Sequence, residues 1–125
     1  MDKLIRFLPL LPGALMLVNG IGFIAQPEQA ASSLGMPYLE GMGRSTQVGD
    51  FAAFFVSCAA MGGLGVWKRR ATWLYGAAML LGSAAVFRTV STVLHDAPFA
   101  TQFIVFEGVF AALLIWCAGR YSKLQ

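Results

Sequence analysis

Four stretches of this chain carry almost no charge. Phe7 to Pro27 and Phe51 to Trp67 have none, Ala71 to Leu94 is broken only by Arg88, and Ala97 to Gly119 only by Glu107. A helix that crosses the hydrocarbon core of a bilayer needs about 20 predominantly apolar residues. Such a helix also satisfies its own backbone hydrogen bonds, which lipid cannot do for it. The stretches therefore predict an all-α fold: a four-transmembrane-helix bundle with spans at about 7–27, 46–67, 71–94 and 98–119, in one integral membrane domain covering residues 1–125. Composition agrees, because 58% of the residues are hydrophobic and only 12% are charged, about half the charged share of a soluble domain. A soluble globular domain, a disordered chain and a typical nucleic-acid-binding module are excluded, despite the net charge of +3.

The basic residues predict an orientation. Lys3 and Arg6 precede the first span, Lys68, Arg69 and Arg70 join the second and third, and Arg120 and Lys123 follow the fourth. With an even number of spans these positions share one side, which the positive-inside rule makes the cytoplasm. Trp67, Trp73, Trp116, Tyr75 and Tyr121 fall at the same ends, as an interfacial aromatic belt would. Both termini are expected inside. The first apolar stretch is too long for a typical signal peptide and its exit, Pro27-Glu28-Gln29-Ala30, lacks a small-x-small site, so it is read as a retained span. Pro9 and Pro12 suggest that its regular helix begins late or kinks.

The first outer connection, from about Pro27 to Ser45, is the only long one. Pro27 could open a short helix through Ala30, Ala31 and Leu34 with Gly35 as its cap. This is read as a short interfacial segment, with a plain surface loop as the alternative. Small residues within the spans, such as the pairs Ala59 and Gly63 or Ala78 and Gly82, would let helix backbones approach closely, within the bundle or across a dimer.

Ionisable residues inside a membrane are costly, so each is a candidate functional residue. Asp50, Arg88 and Glu107 are the three here. Counted from the outer ends of their spans, they lie about 7, 10 and 13 Å deep at 1.5 Å per residue. Spans three and four are joined by the short turn His95-Asp96-Ala97-Pro98, so Arg88 and Glu107 should pair, and Asp50 could reach the same guanidinium. A guanidinium fork can serve two carboxylates. Ser91, Thr92 and His95 share the face of Arg88, and Thr46 and Gln47 that of Asp50. The expected site is thus an outward-facing polar pocket or ion-pair cluster of Asp50, Arg88, Glu107, His95, Arg44, Thr92 and Gln47. Two carboxylates against one arginine leave a charge of minus one, unless Arg44 reaches in or one carboxyl holds a proton. The alternative is an ion-pair clasp that only fixes helix register.

Other constellations are weaker. His95, Asp96 and a carboxylate have the chemistry of metal ligands, but no HxxxH, HxxE or CxxC spacing is present, so neither a metal nor a cofactor is expected. Cys58 and Cys117 are read as small apolar residues. Asn19, mid-span, would hydrogen-bond across helices or line the pocket. Phe103, Phe106 and Phe110 are read as packing or lipid contacts.

The third span and its exit, Gly82-Ser83-Ala84-Ala85-Val86-Phe87-Arg88-Thr89-Val90-Ser91 followed by His95-Asp96-Ala97-Pro98, with Glu107 beyond and Leu34 to Pro37 ahead of span two, resembles the domain of unknown function 4345 family. These are bacterial four-helix membrane proteins similar in architecture to the DoxX-like proteins. The resemblance implies a bacterial inner-membrane location and a polar role for Arg88, Asp96 and Glu107. The start of span two departs from the family's pattern: an acidic residue followed by arginine is usual there, and this chain has Gly43-Arg44-Ser45-Thr46-Gln47 with Asp50 further in. A fold resemblance implies no activity.

Three function classes fit. The first is a non-catalytic membrane protein, either an accessory subunit or a binder of a small lipophilic ligand whose polar head is held by Arg88 and its neighbours. The second is a dimeric proton-coupled small transporter using Glu107, similar in size to the small multidrug resistance proteins, which keep their acid in the first span where this chain has Asn19. The third is an intramembrane lipid-modifying enzyme working by acid-base chemistry with Glu107, His95 and Asp50. The expected partners are the bilayer, a lipophilic ligand, and a second copy or a larger membrane complex. No nucleic acid is expected, and no catalytic residue is assigned.

Overall fold

The computed structural model describes residues 2–123. Its helices are α1 (Lys3–Phe7), α2 (Leu10–Ala25), α3 (Pro27–Ser33), α4 (Gly41–Lys68), α5 (Ala71–His95) and α6 (Thr101–Ser122). Among the described residues, four helical segments are long and apolar enough to cross a membrane: Lys3–Ala25, Gly41–Lys68, Ala71–His95 and Thr101–Ser122. The first is interrupted at Leu8 and Pro9. Pro9 has no amide to donate, so the α-helical ladder lapses there and resumes from Leu10. Pro12 then sits in the first turn of α2, where no intrahelical partner is lost.

α3 begins with Pro27 at its first turn and ends on Gly35, whose φ is +79°. The Met36 amide donates to the Ala31 carbonyl and the Gly35 amide to that of Ser32, both at 2.9 Å. This is the paired bonding of a Schellman motif, and the left-handed residue it needs is cheapest as glycine. The second long helix starts at Gly41, about a turn earlier than the apolar pattern suggests. Arg44 therefore lies on a helix rather than in a loop.

Antiparallel neighbours pack as α2 on α4, α4 on α5 and α5 on α6, while α1 touches the end of α6. The end that bears Lys3, the α4–α5 turn and Ser122 is called the terminal end below, and the other the α3 end. At the terminal end the core contains Cys58, Leu74, Ala78, Leu81, Leu114, Cys117 and Tyr121. Without a hydrophobic drive between helices in lipid, close backbone approach supplies the packing. Gly65 of α4 is pressed by Leu74 of α5, and Gly20 of α2 by Val56 of α4: a Cβ there would lie 2.4 Å and 2.7 Å from those side chains. Gly82 faces Ala111 across α5 and α6, where an added Cβ would lie 3.8 Å from that of Ala111. Gly63, by contrast, has no neighbour within 4 Å of an added Cβ, so of the Ala59 and Gly63 pair only Ala59, whose carbonyl oxygen would lie 3.7 Å from a Cβ at Gly13, meets another helix.

Tyr121 departs from the expected aromatic belt. It is 1% exposed, and its hydroxyl donates to the Arg6 carbonyl, tying α1 to the end of α6. A buried phenol needs such an acceptor, and the break at Pro9 brings α1 where it can supply one. Trp67, 80% exposed, and Trp116 stay on the outer surface of the terminal end.

A second, smaller core at the α3 end joins Phe23 of α2, Ala31 of α3 and Ala52 and Phe55 of α4. The buried residues of α5 all lie between Ala71 and Leu81, and those of α6 between Ala111 and Tyr121. Toward the α3 end, α5 and α6 thus stand away from α2 and α4 and leave a space between the two pairs.

Candidate functional site

The gap is a cavity of about 700 Å³, within the range of small-molecule sites. α2 contributes Leu15, Met16 and Asn19, α4 contributes Asp50, Phe51, Phe54 and Phe55, α5 contributes Leu81, Ala84, Phe87, Arg88 and Ser91, and α6 contributes Gln102, Phe103, Phe106, Glu107 and Phe110. Leu34 and the α5–α6 turn, with Ala97, Pro98 and Ala100, border it at the α3 end. α2 and α6 wall it on opposite sides but do not pack together as the other neighbours do.

Arg88 follows the last buried residue of α5, Leu81, by two turns, and Glu107 precedes the first buried residue of α6, Ala111, by one. Both side chains therefore stay on the faces that continue from the core into the cavity. The Arg88 Nε donates to Glu107 Oε1 at 2.7 Å, with the two side chains 30% and 13% exposed. This charge-assisted contact is short and strong in kind. Phe103, one turn before Glu107 on α6, lies beneath the guanidinium at 4.7 Å from its ring centroid, within reach of a cation–π interaction. Ion pair and ring together hold Arg88 against α6.

Asp50 lines the same cavity from α4. Among the described residues it makes no ion pair within 4.0 Å, so the guanidinium serves one carboxylate rather than two. The three charged groups nonetheless stand at similar levels. At 1.5 Å per residue, Asp50 is about 27 Å along α4 from Lys68, Arg88 about 25 Å along α5 from Ala71 and Glu107 about 20 Å along α6 from Arg120.

The other four expected site residues are not on the cavity wall. Gln47 is buried and turned to the segment before α4: its Oε1 accepts from the Leu39 amide at 3.0 Å, and its Nε2 donates to the Pro37 carbonyl at 2.9 Å. The Arg44 Nε donates to the Leu39 carbonyl at 2.8 Å, and its guanidinium stacks on Tyr38 at 4.0 Å. An extended segment leaves backbone groups unpaired, and these two side chains supply what a ladder would. The Thr92 hydroxyl lies 3.3 Å from the Arg88 carbonyl and 3.4 Å from that of Pro98, at the α5–α6 turn. His95 ends α5 as an exposed residue.

Asn19 does line the cavity, but its amide nitrogen donates to the Leu15 carbonyl at 2.8 Å within α2, rather than across helices. Cys58 and Cys117 are buried and free in the terminal core. Among the described residues no three His, Cys, Asp or Glu side chains gather as metal ligands would.

The aromatic wall is what the reading of single residues missed. Phe103, Phe106 and Phe110 share a helical face with Glu107, and Phe51 and Phe54 sit one residue and one turn from Asp50. That spacing was the available signal. The arrangement offers an apolar volume with a polar group at one level, and therefore suits a molecule with a lipophilic body and a polar head. No protein-family model, curated protein or solved structure matches this chain.

Proposed function

We propose that this chain is a small inner-membrane protein, with both termini cytoplasmic, that binds a lipophilic molecule without transforming it. The observation that carries this reading is the cavity of about 700 Å³, whose wall carries seven phenylalanines together with the Arg88 and Glu107 ion pair. Its apolar wall would take the body of the ligand, and the remaining donors of Arg88, the carboxylate of Asp50 and the Ser91 hydroxyl its polar end. The charge asymmetry of the loops supports the orientation. Membership of the domain of unknown function 4345 family is part of the same proposal, resting on the residues around Arg88 and Glu107.

The test is photolabelling in native-like membranes with a long-chain alcohol that carries a diazirine, followed by peptide mass spectrometry. Labels concentrated on Phe54, Leu81 and Phe103, and lost in Ala84→Phe, support the reading. Labels confined to lipid-facing positions such as Val18, Ile21 and Val109 overturn it.

A further inference from the structure

Resting on that reading, we infer that the cavity selects lipophilic cations, with Asp50 as the counter-charge. Three ionisable groups line it, and two of them, Arg88 and Glu107, are already paired with each other. Arg44, the nearest further cation in sequence to Asp50, is held at Leu39 and Tyr38. Asp50 is left with no ion pair among the described residues. The charged lining therefore sums to minus one, and the unpaired carboxylate of Asp50, exposed where it lines the cavity, attracts a positive charge that enters there.

The aromatic wall favours the same sign. Ring faces carry negative potential, so a box of phenylalanines stabilises a desolvated cation and gives an anion nothing comparable. The cavity already holds one cation in this way, the Arg88 guanidinium over Phe103. Phe51 and Phe54 stand next to Asp50 on α4 and would do the same for a ligand whose positive centre approaches that carboxylate. An anionic ligand at the remaining donors of Arg88 would lie beside Glu107 and share the cavity with Asp50, so two carboxylates would repel it. The ligand class is a hydrophobic ammonium or phosphonium ion, or an amine protonated at neutral pH.

Three probes of nearly identical shape separate charge from size: tetraphenylphosphonium, tetraphenylsilane and tetraphenylborate. Equilibrium binding to the full chain in zwitterionic nanodiscs, corrected by empty nanodiscs, should give saturable phosphonium binding at least about tenfold tighter than that of the borate. Asp50→Asn should weaken phosphonium binding about tenfold, leave the silane unchanged, and be reversed by Asp50→Glu. Ala84→Phe should remove all three. Tighter binding of the borate, or an equal response of all three probes to Asp50→Asn, overturns cation selection while the cavity reading stands. Saturable binding of none of the three overturns both.

Discussion

The Arg88 side chain reaches Glu107 across the α5 and α6 pair with an Nε to Oε1 distance of 2.7 Å, and its guanidinium lies over the ring of Phe103, 4.7 Å from the centroid. Removing one member of such a pair strands the other, whereas removing both does not. Glu107→Leu should therefore destabilise the protein by about 2 kcal/mol, less than a fully buried pair because Arg88 is 30% exposed. The double variant Arg88→Met with Glu107→Leu should recover most of that loss. Denaturant unfolding of the single and double variants in detergent checks this, and a double variant no more stable than the single one contradicts it.

The close crossings should tolerate no added carbon. At Gly65 a Cβ would lie 2.4 Å from the buried Leu74 side chain, and at Gly20 2.7 Å from Val56. Gly65→Ala and Gly20→Ala are each expected to cost about 1–3 kcal/mol through overpacking. Gly63→Ala, with no atom within 4 Å, should be neutral or stabilising through helix propensity. Thermal unfolding of the three variants side by side gives the ranking.

At the terminal end, Tyr121→Phe deletes only the hydroxyl that donates to the Arg6 carbonyl. A loss of about 1 kcal/mol is expected from one such bond. Its local signature should be faster hydrogen exchange across α1, Lys3–Phe7, while α2 keeps its protection. Uniform loss of protection in both helices would show that the tyrosine acts on the whole bundle instead.

Gln47 uses both ends of its amide to hold the segment between α3 and α4. Gln47→Leu should cost about 1–2 kcal/mol and accelerate exchange of the Leu39 amide. Gln47→Glu keeps the acceptor for Leu39 but cannot donate to the Pro37 carbonyl, so it should fall between the native protein and Gln47→Leu. Exchange rates at Leu39 order the three proteins.

The long helices were legible because hydrocarbon imposes a length and excludes charge, and four segments of Ala71–His95 type carry that signature without help from tertiary contacts. The Arg88 and Glu107 contact was legible for the same reason: a short turn and a costly charge on each side leave few partners. Gln47 and Arg44 were harder to read. Their partners are backbone groups of Pro37 and Leu39, and a carbonyl has no identity in a sequence. The cavity wall was hidden differently, because a phenylalanine that faces lipid and one that faces a ligand obey the same polarity rule.

Burial in α5 stops at Leu81 and in α6 begins at Ala111, so most of the apolar residues that keep the helices together and most of those that meet the cavity occupy different lengths of the same two helices, with Leu81 shared between them. A substitution at Phe87, which lines the recess but belongs to neither core cluster, changes its shape without touching the contacts around Leu74 and Leu114. Selection can then alter what is held while leaving how firmly the molecule is assembled almost untouched, which lets related chains diverge in specificity without passing through an unfolded ancestor.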